Sequence, residues 1–170
     1  MKKRAPDSPR TAGLVIGWGN ELLGDDAAGR RVARAVEAEG MPEVDVIDIH
    51  QLTPEVALHL ARAERAIFVD ACAGVKDGAI LVERIYPAEG NDHPGVGHTG
   101  RPEDLLAMAA TLYGAQPEAW LIAVPARSFE VNEPLSEDAE AGVRDAVTAV
   151  KRLLARGRIT GQAGPAPSSA

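Results

Sequence analysis

Two adjacent carboxylates, Asp25 and Asp26, stand where a glycine-broken elbow, Gly17-Trp18-Gly19, gives way to a helical pattern. A third carboxylate, Asp70, closes an otherwise apolar run, Ile67-Phe68-Val69. An acid at the end of a buried strand either accepts hydrogen bonds from nearby backbone donors or is held ready for a ligand, because an unpaired buried charge costs several kcal/mol. One of Asp25 and Asp26 is expected to cap the helix that follows. The other is then free to face the crevice, since two neighbours cannot both take the capping geometry. Two histidines, His93 and His98, fall in the stretch Pro87–Arg101, which holds four glycines and two prolines and has no pattern of its own. A loop of that length inside a compact domain is usually functional or disordered. Folded back over the acids, one of these imidazoles would complete a ligand set suited to Ni, Zn or Fe rather than to Mg or Ca.

The elements that must position these groups alternate in type. Strands are predicted at Leu14–Trp18, Val44–Ile49, Ala66–Val69, Ala79–Tyr86 and Ala119–Val124. Helices are predicted over Asp26–Glu39 and over Val56–Ala63, the latter started by Thr53 as a capping hydroxyl and Pro54 at the first helical position. Pro102 opens another helix and Ser136 caps the last. The pattern implies an α/β fold, a three-layer α/β/α sandwich on an about five-stranded, mainly parallel sheet with one antiparallel edge strand. Right-handed crossovers then gather Asp25/Asp26, His50, Asp70 and the Ser128–Glu130 segment on one edge of the sheet. Residues 13–157 are expected to form a single domain, with disordered tails at 1–12 and 158–170.

Composition narrows the chemistry. A net charge of −7 opposes binding to nucleic acid, whose affinity rests on Lys and Arg against phosphates. The early cations Lys2, Lys3 and Arg4 are followed by no apolar stretch of the kind an export signal needs, and no run approaches a membrane span, so a cytoplasmic protein is expected. The lone cysteine, Cys72, excludes an internal disulfide and reads as a packing residue. Gly17-Trp18-Gly19 begins like a dinucleotide fingerprint, but Leu22 stands where the third glycine belongs. There is no phosphate-cradling Gly-Lys-Ser/Thr run and no Gly-x-Ser-x-Gly elbow for a nucleophile.

Taken in order, Gly17-Trp18-Gly19-Asn20-Glu21-Leu22-Leu23-Gly24-Asp25-Asp26, Val69-Asp70-Ala71, His98 ahead of Leu105-Leu106, and Ser128-Phe129-Glu130 with Leu135-Ser136 resemble the nickel-iron hydrogenase maturation proteases, over roughly Gly13 to Gly157. The resemblance implies an aspartyl-type endopeptidase that trims a C-terminal extension from the precursor of a hydrogenase large subunit once nickel has been inserted. It places the metal-contacting and catalytic residues on Asp26, Asp70 and His98, with the nickel presented by the substrate and no tightly held cofactor. A monomer is expected. Two departures stand out: Asp26 occupies a position where the best-known members have glutamate, and His50-Gln51-Leu52-Thr53 replaces the common Asp-Gly-Gly-Thr, which would let His50 touch substrate. A different small α/β hydrolase and a nucleotide-binding regulatory domain are the alternative readings.

Overall fold

The computed structural model describes residues 10–75, 78–89 and 100–156. His93, His98, the Lys76-Asp77 turn and most of both expected tails lie outside the described residues.

Five strands, β1 (Gly13–Trp18), β2 (Val44–Ile49), β3 (Arg65–Cys72), β4 (Leu81–Ile85) and β5 (Glu118–Pro125), form one sheet in the order β2-β1-β3-β5-β4. All neighbours are parallel except β4, which runs antiparallel to β5 at the edge. The expected α/β architecture is therefore the observed one. Helices α1 (Ala28–Ala38) and α4 (Glu137–Ala155) cover one face, where Val32, Val36, Ala146 and Val150 meet Val15, Ile67 and Ile122. Helices α2 (Val56–Leu60) and α3 (Pro102–Tyr113) cover the other, where Leu60, Leu105 and Leu106 meet Leu14, Ile16 and Phe68. Strands buried on both faces need apolar residues at every position, which is why Leu14-Val15-Ile16 and Ile67-Phe68-Val69 read as continuous runs.

Several boundaries move for identifiable reasons. Strand β3 outlasts its apolar run because β5 pairs with it along its whole length, from Arg65↔Glu118 to Cys72↔Pro125. Helix α2 ends three residues early because Ala63 is drawn into a parallel bridge with Thr11. Thr11 itself is 8% exposed and donates its hydroxyl to the carbonyl of Glu43 at 2.6 Å, so order begins ahead of Gly13. Thr53 does not cap α2 through its hydroxyl; backbone bonds from Val56 to Thr53 and from Ala57 to Pro54 close the first turn instead.

Chain direction across the sheet reverses between β1 and β3: the connection from β1 runs outward to β2, whereas the chain after β3 continues to the opposite side. Ligands of open α/β sheets bind beside the carboxyl ends of the strands at such a switch point. Glycine makes that junction tight. A Cβ on Gly17 would lie 2.0 Å from the Gly29 carbonyl oxygen, and one on Gly29 would lie 2.4 Å from that of Val69, so α1 begins with its backbone resting on β1 and β3. Gly29→Ala should therefore lower stability by roughly 3 kcal/mol, read as a lower urea midpoint at unchanged slope, because backbone offers no side chain that can swing aside.

Candidate active site

After β1 the chain makes a hairpin-tight elbow. Trp18 packs edge-on against Phe68 of β3, with ring centroids 6.2 Å apart at 79°, and this fixes the base of the turn. Gly19 follows at φ 138°, a conformation that L side chains rarely adopt, and a Cβ there would lie 1.9 Å from the Asp26 carbonyl oxygen. The elbow thus doubles back onto a 3-10 turn, Gly24–Ala27, that precedes α1. Its outer part is tethered by Glu21, which pairs with Arg30 at 3.3 Å and with Arg34, and both arginines also bind Asp48 at the end of β2.

Neither Asp25 nor Asp26 caps α1, which corrects the capping expectation: the turn and the helix both start without a side-chain cap. Asp25 reaches across the molecule instead. It is 0% exposed, and its carboxylate accepts hydrogen bonds from the backbone N–H of Arg127 at 2.6 Å, of Ser128 at 3.1 Å and of Ser136 at 2.6 Å, and from the Ser136 hydroxyl at 2.7 Å. Burial pushes its pKa up, but those donors outweigh burial and hold it below the usual carboxylate range. The same loop is zipped to the elbow by Asp25 N–H donating to the Ser128 carbonyl at 2.9 Å and by a bridge between Leu23 and Val131. Sequence reasoning, which gave the cap to one of the two acids, missed this role of Asp25, because its partners lie over a hundred positions away and leave no local trace.

Asp26 and Asp70 do come together. Asp26 accepts the Asn20 N–H at 2.7 Å, and Asp70, at the end of β3, accepts its neighbour Ala71 N–H at 2.9 Å. Burial lifts the pKa of Asp70 to about 6, its single backbone donor offsets part of that, and the negative charge of Asp26 raises it further. Two carboxylates near enough to feel each other therefore flank the switch point, Asp70 at the end of β3 and Asp26 on the 3-10 turn that follows β1. The His50 side chain stays exposed; its carbonyl accepts the Gly19 N–H at 3.2 Å, so it joins the site through its backbone. Ser128 donates its hydroxyl to Glu133 at 2.7 Å, and Glu130 is exposed. Cys72, two residues past Asp70, is a half-buried free thiol. Among the described residues no three of His, Cys, Asp and Glu form a metal-ligating group, so the described part of the site contributes a pair of carboxylates. The third expected group, His98, lies outside the described residues.

No family model and no curated protein matches the chain. Solved structures do. The hydrogenase maturating endopeptidase HybD from E. coli aligns over 85% of this chain and 92% of its own, with a TM-score of 0.65 and 25% identity. A hydrogenase 2 maturation peptidase from a Thaumarchaeota archaeon aligns over 85% of this chain and 99% of its own, with a TM-score of 0.62 and 27% identity. In fold and over most of its length the chain is similar to the hydrogenase maturation endopeptidases. A further maturation protease, HycI from Thermococcus kodakarensis, shares the fold with a TM-score of 0.64 at 21% identity, covering 86% of this chain and 94% of its own. The likeness to these endopeptidases supports a peptidase.

Two predictions separate the roles of the acids. Asp25 is depressed, so its stabilisation is present above the unfolded pKa and is lost as pH falls through the lower folded value. Asp25→Asn should cost on the order of 3 kcal/mol near neutral pH, and urea titrations should show the deficit shrinking as both proteins are acidified. Asp70 is raised, so its contribution is present below about pH 4 and is lost as pH rises through about 6. Asp70→Asn should accordingly be more stable than the parent by on the order of 2 kcal/mol at pH 8, a gain that the same titrations should find vanishing below pH 4.

Proposed function

We propose that the chain removes the C-terminal extension from the precursor of a nickel-iron hydrogenase large subunit after nickel has been inserted. The observation that supports this reading is the pair of carboxylates, Asp26 and Asp70, near enough for the charge of one to raise the pKa of the other, at the switch point of a fold shared with maturation endopeptidases. Asp26 and Asp70 are assigned as metal-contacting and catalytic residues, with His98 as the third. Two carboxylates and an imidazole form an incomplete, open ligand set. Such a set binds free metal weakly, but it completes the coordination of a nickel ion that the substrate already holds. Processing is then gated by the substrate's cargo, because a nickel-free precursor offers nothing for the acids to grasp.

The chain's own groups supply the remaining chemistry. Peptide hydrolysis needs a group that takes a proton from the attacking water and returns one to the leaving amine. Asp70 suits that exchange, because a carboxyl poised near pH 6 is available in both protonation states around neutrality. Asp26, fixed by the Asn20 N–H on the turn below, is the better-oriented of the two for a ligand arm. Its carboxylate stands one methylene nearer the backbone than a glutamate would, so the nickel-bearing segment must approach the elbow correspondingly closely.

Incubation with the purified precursor, followed by mass measurement of the product, tests the reading. Loss of the extension is expected only from nickel-loaded precursor. Asp26→Asn, Asp70→Asn and His98→Ala should each slow trimming by about a hundredfold or more, as removal of a proton-transfer or metal-contacting group does. Trimming of nickel-free precursor at the same rate, or normal trimming by the Asp70→Asn variant, would overturn it.

A further inference from the structure

On the side of the sheet remote from β2, strand β4 pairs with β5 alone among the described strands. Its outer backbone groups have no strand partner among the described residues, and Leu81, Val82 and the following Tyr86 are 53%, 39% and 63% exposed beside the charged Glu83 and Arg84. Alternation along the strand points Ile80 and Val82 to the α4 side, where they and Trp120 line a cavity of about 570 Å³ against Ala149 and Leu153 of α4.

The charge around this cavity is opposite to that of the molecule. Arg84 and Arg156 lie over the Trp120 ring at 5.8 and 5.9 Å, and Arg152 and Arg156 line the cavity, with Asp145 as its only lining carboxylate among the described residues. In a chain of net charge −7, two guanidinium groups over one indole and Arg152 beside them, against Asp145 and the Glu118 that accepts the indole N–H and pairs with Arg84, mark a local preference for an acidic partner. An open strand edge beside a pocket with an aromatic wall is the arrangement by which extended peptides are bound. Main-chain bonds to the edge give affinity, and the pocket receives alternate side chains.

We infer that the open edge of β4, together with the Trp120 cavity, docks an extended acidic segment of the precursor that carries a large apolar side chain. That the partner is the precursor rests on the processing role proposed above. Register supports the assignment: Asp70, Ala123 and Leu81 lie in one row across β3, β5 and β4. With strands about 4.8 Å apart, a strand added to β4 sits about 14 Å from β3, a gap that about four extended residues span. The docked segment is therefore a few residues removed from the bond held at the acids, and it lies close enough to share one peptide with it.

Hydrogen exchange with the Asp70→Asn protein bound to nickel-loaded precursor tests this, alongside steady-state trimming by variants that retain Asp70. Within 81–86, the amides that do not bond β5 should slow when precursor is added, and Arg152→Glu with Arg156→Glu should abolish that slowing. The same double variant should raise KM for precursor by about tenfold or more while leaving kcat within about twofold, as expected for lost docking charge. Ile80→Ser with Val82→Ser, which leaves the charges in place, should raise KM in the same direction. Unchanged exchange at 81–86 in a complex that nonetheless forms, or an unchanged KM in both double variants, would overturn the docking surface and leave the processing role standing. Slowing at 81–86 without any trimming by the parent would uphold the surface and remove the processing role. Slow exchange, in the chain alone, of the β4 amides that do not bond β5 would mean that another part of this chain, or a second copy, holds the edge, and would overturn the inference.

Discussion

One fully buried carboxylate organises the functional end of this molecule. Asp25 collects four donors from the segment that joins β5 to α4, and each bond ties the elbow after β1 to a part of the chain over a hundred residues away. Ser136 serves twice in this arrangement: its hydroxyl donates to Asp25, and its oxygen accepts the Ala139 N–H that opens α4. The charge of Asp25 is thereby relayed to the positive end of a nineteen-residue helix, where negative charge is favourable. Asp26 is the next residue in the same 3-10 turn, so its position is inherited from its neighbour's bonds.

The three carboxylates around the switch point differ in what surrounds them, and the difference divides their chemistry. Asp25 is saturated with donors and stays ionised, which suits a fixed tie. Asp70 has one backbone donor, a half-buried setting and a like charge nearby, so its proton is easily held and easily lost. Environments that push apart the pKa values of neighbouring acids are the usual way one fold obtains both a structural charge and a proton-handling group. Cys72, two residues past Asp70, is a free, half-buried thiol.

Much of this was legible before any coordinates. Continuous apolar runs announced the buried strands, and the hydroxyl of Ser136 announced the start of α4, because both signals act over a few residues. The antiparallel edge was visible in the alternation of Ile80/Val82 with Leu81/Glu83. What the sequence hid is long-range. Nothing near Asp25 indicates that it leaves its own helix uncapped to hold the β5–α4 loop, and nothing near Ala63 shows that Thr11 will bridge to it and cut α2 short. Asp26 and Asp70 could be placed on the same sheet edge by topology, but their mutual influence depends on how closely α1 seats on β1 and β3, which two glycines decide.

That seating is a contact of main chain with main chain: Gly17 against the Gly29 carbonyl, and Gly29 against those of Trp18 and Val69. The gap between Asp26 and Asp70 is therefore gauged by peptide units, which have nearly invariant dimensions, rather than by the bulk of any packed side chain. Core residues on either face of the sheet can be exchanged for others of similar volume without resetting that gap. At Gly17 and Gly29, even a methyl group would prise the backbones apart.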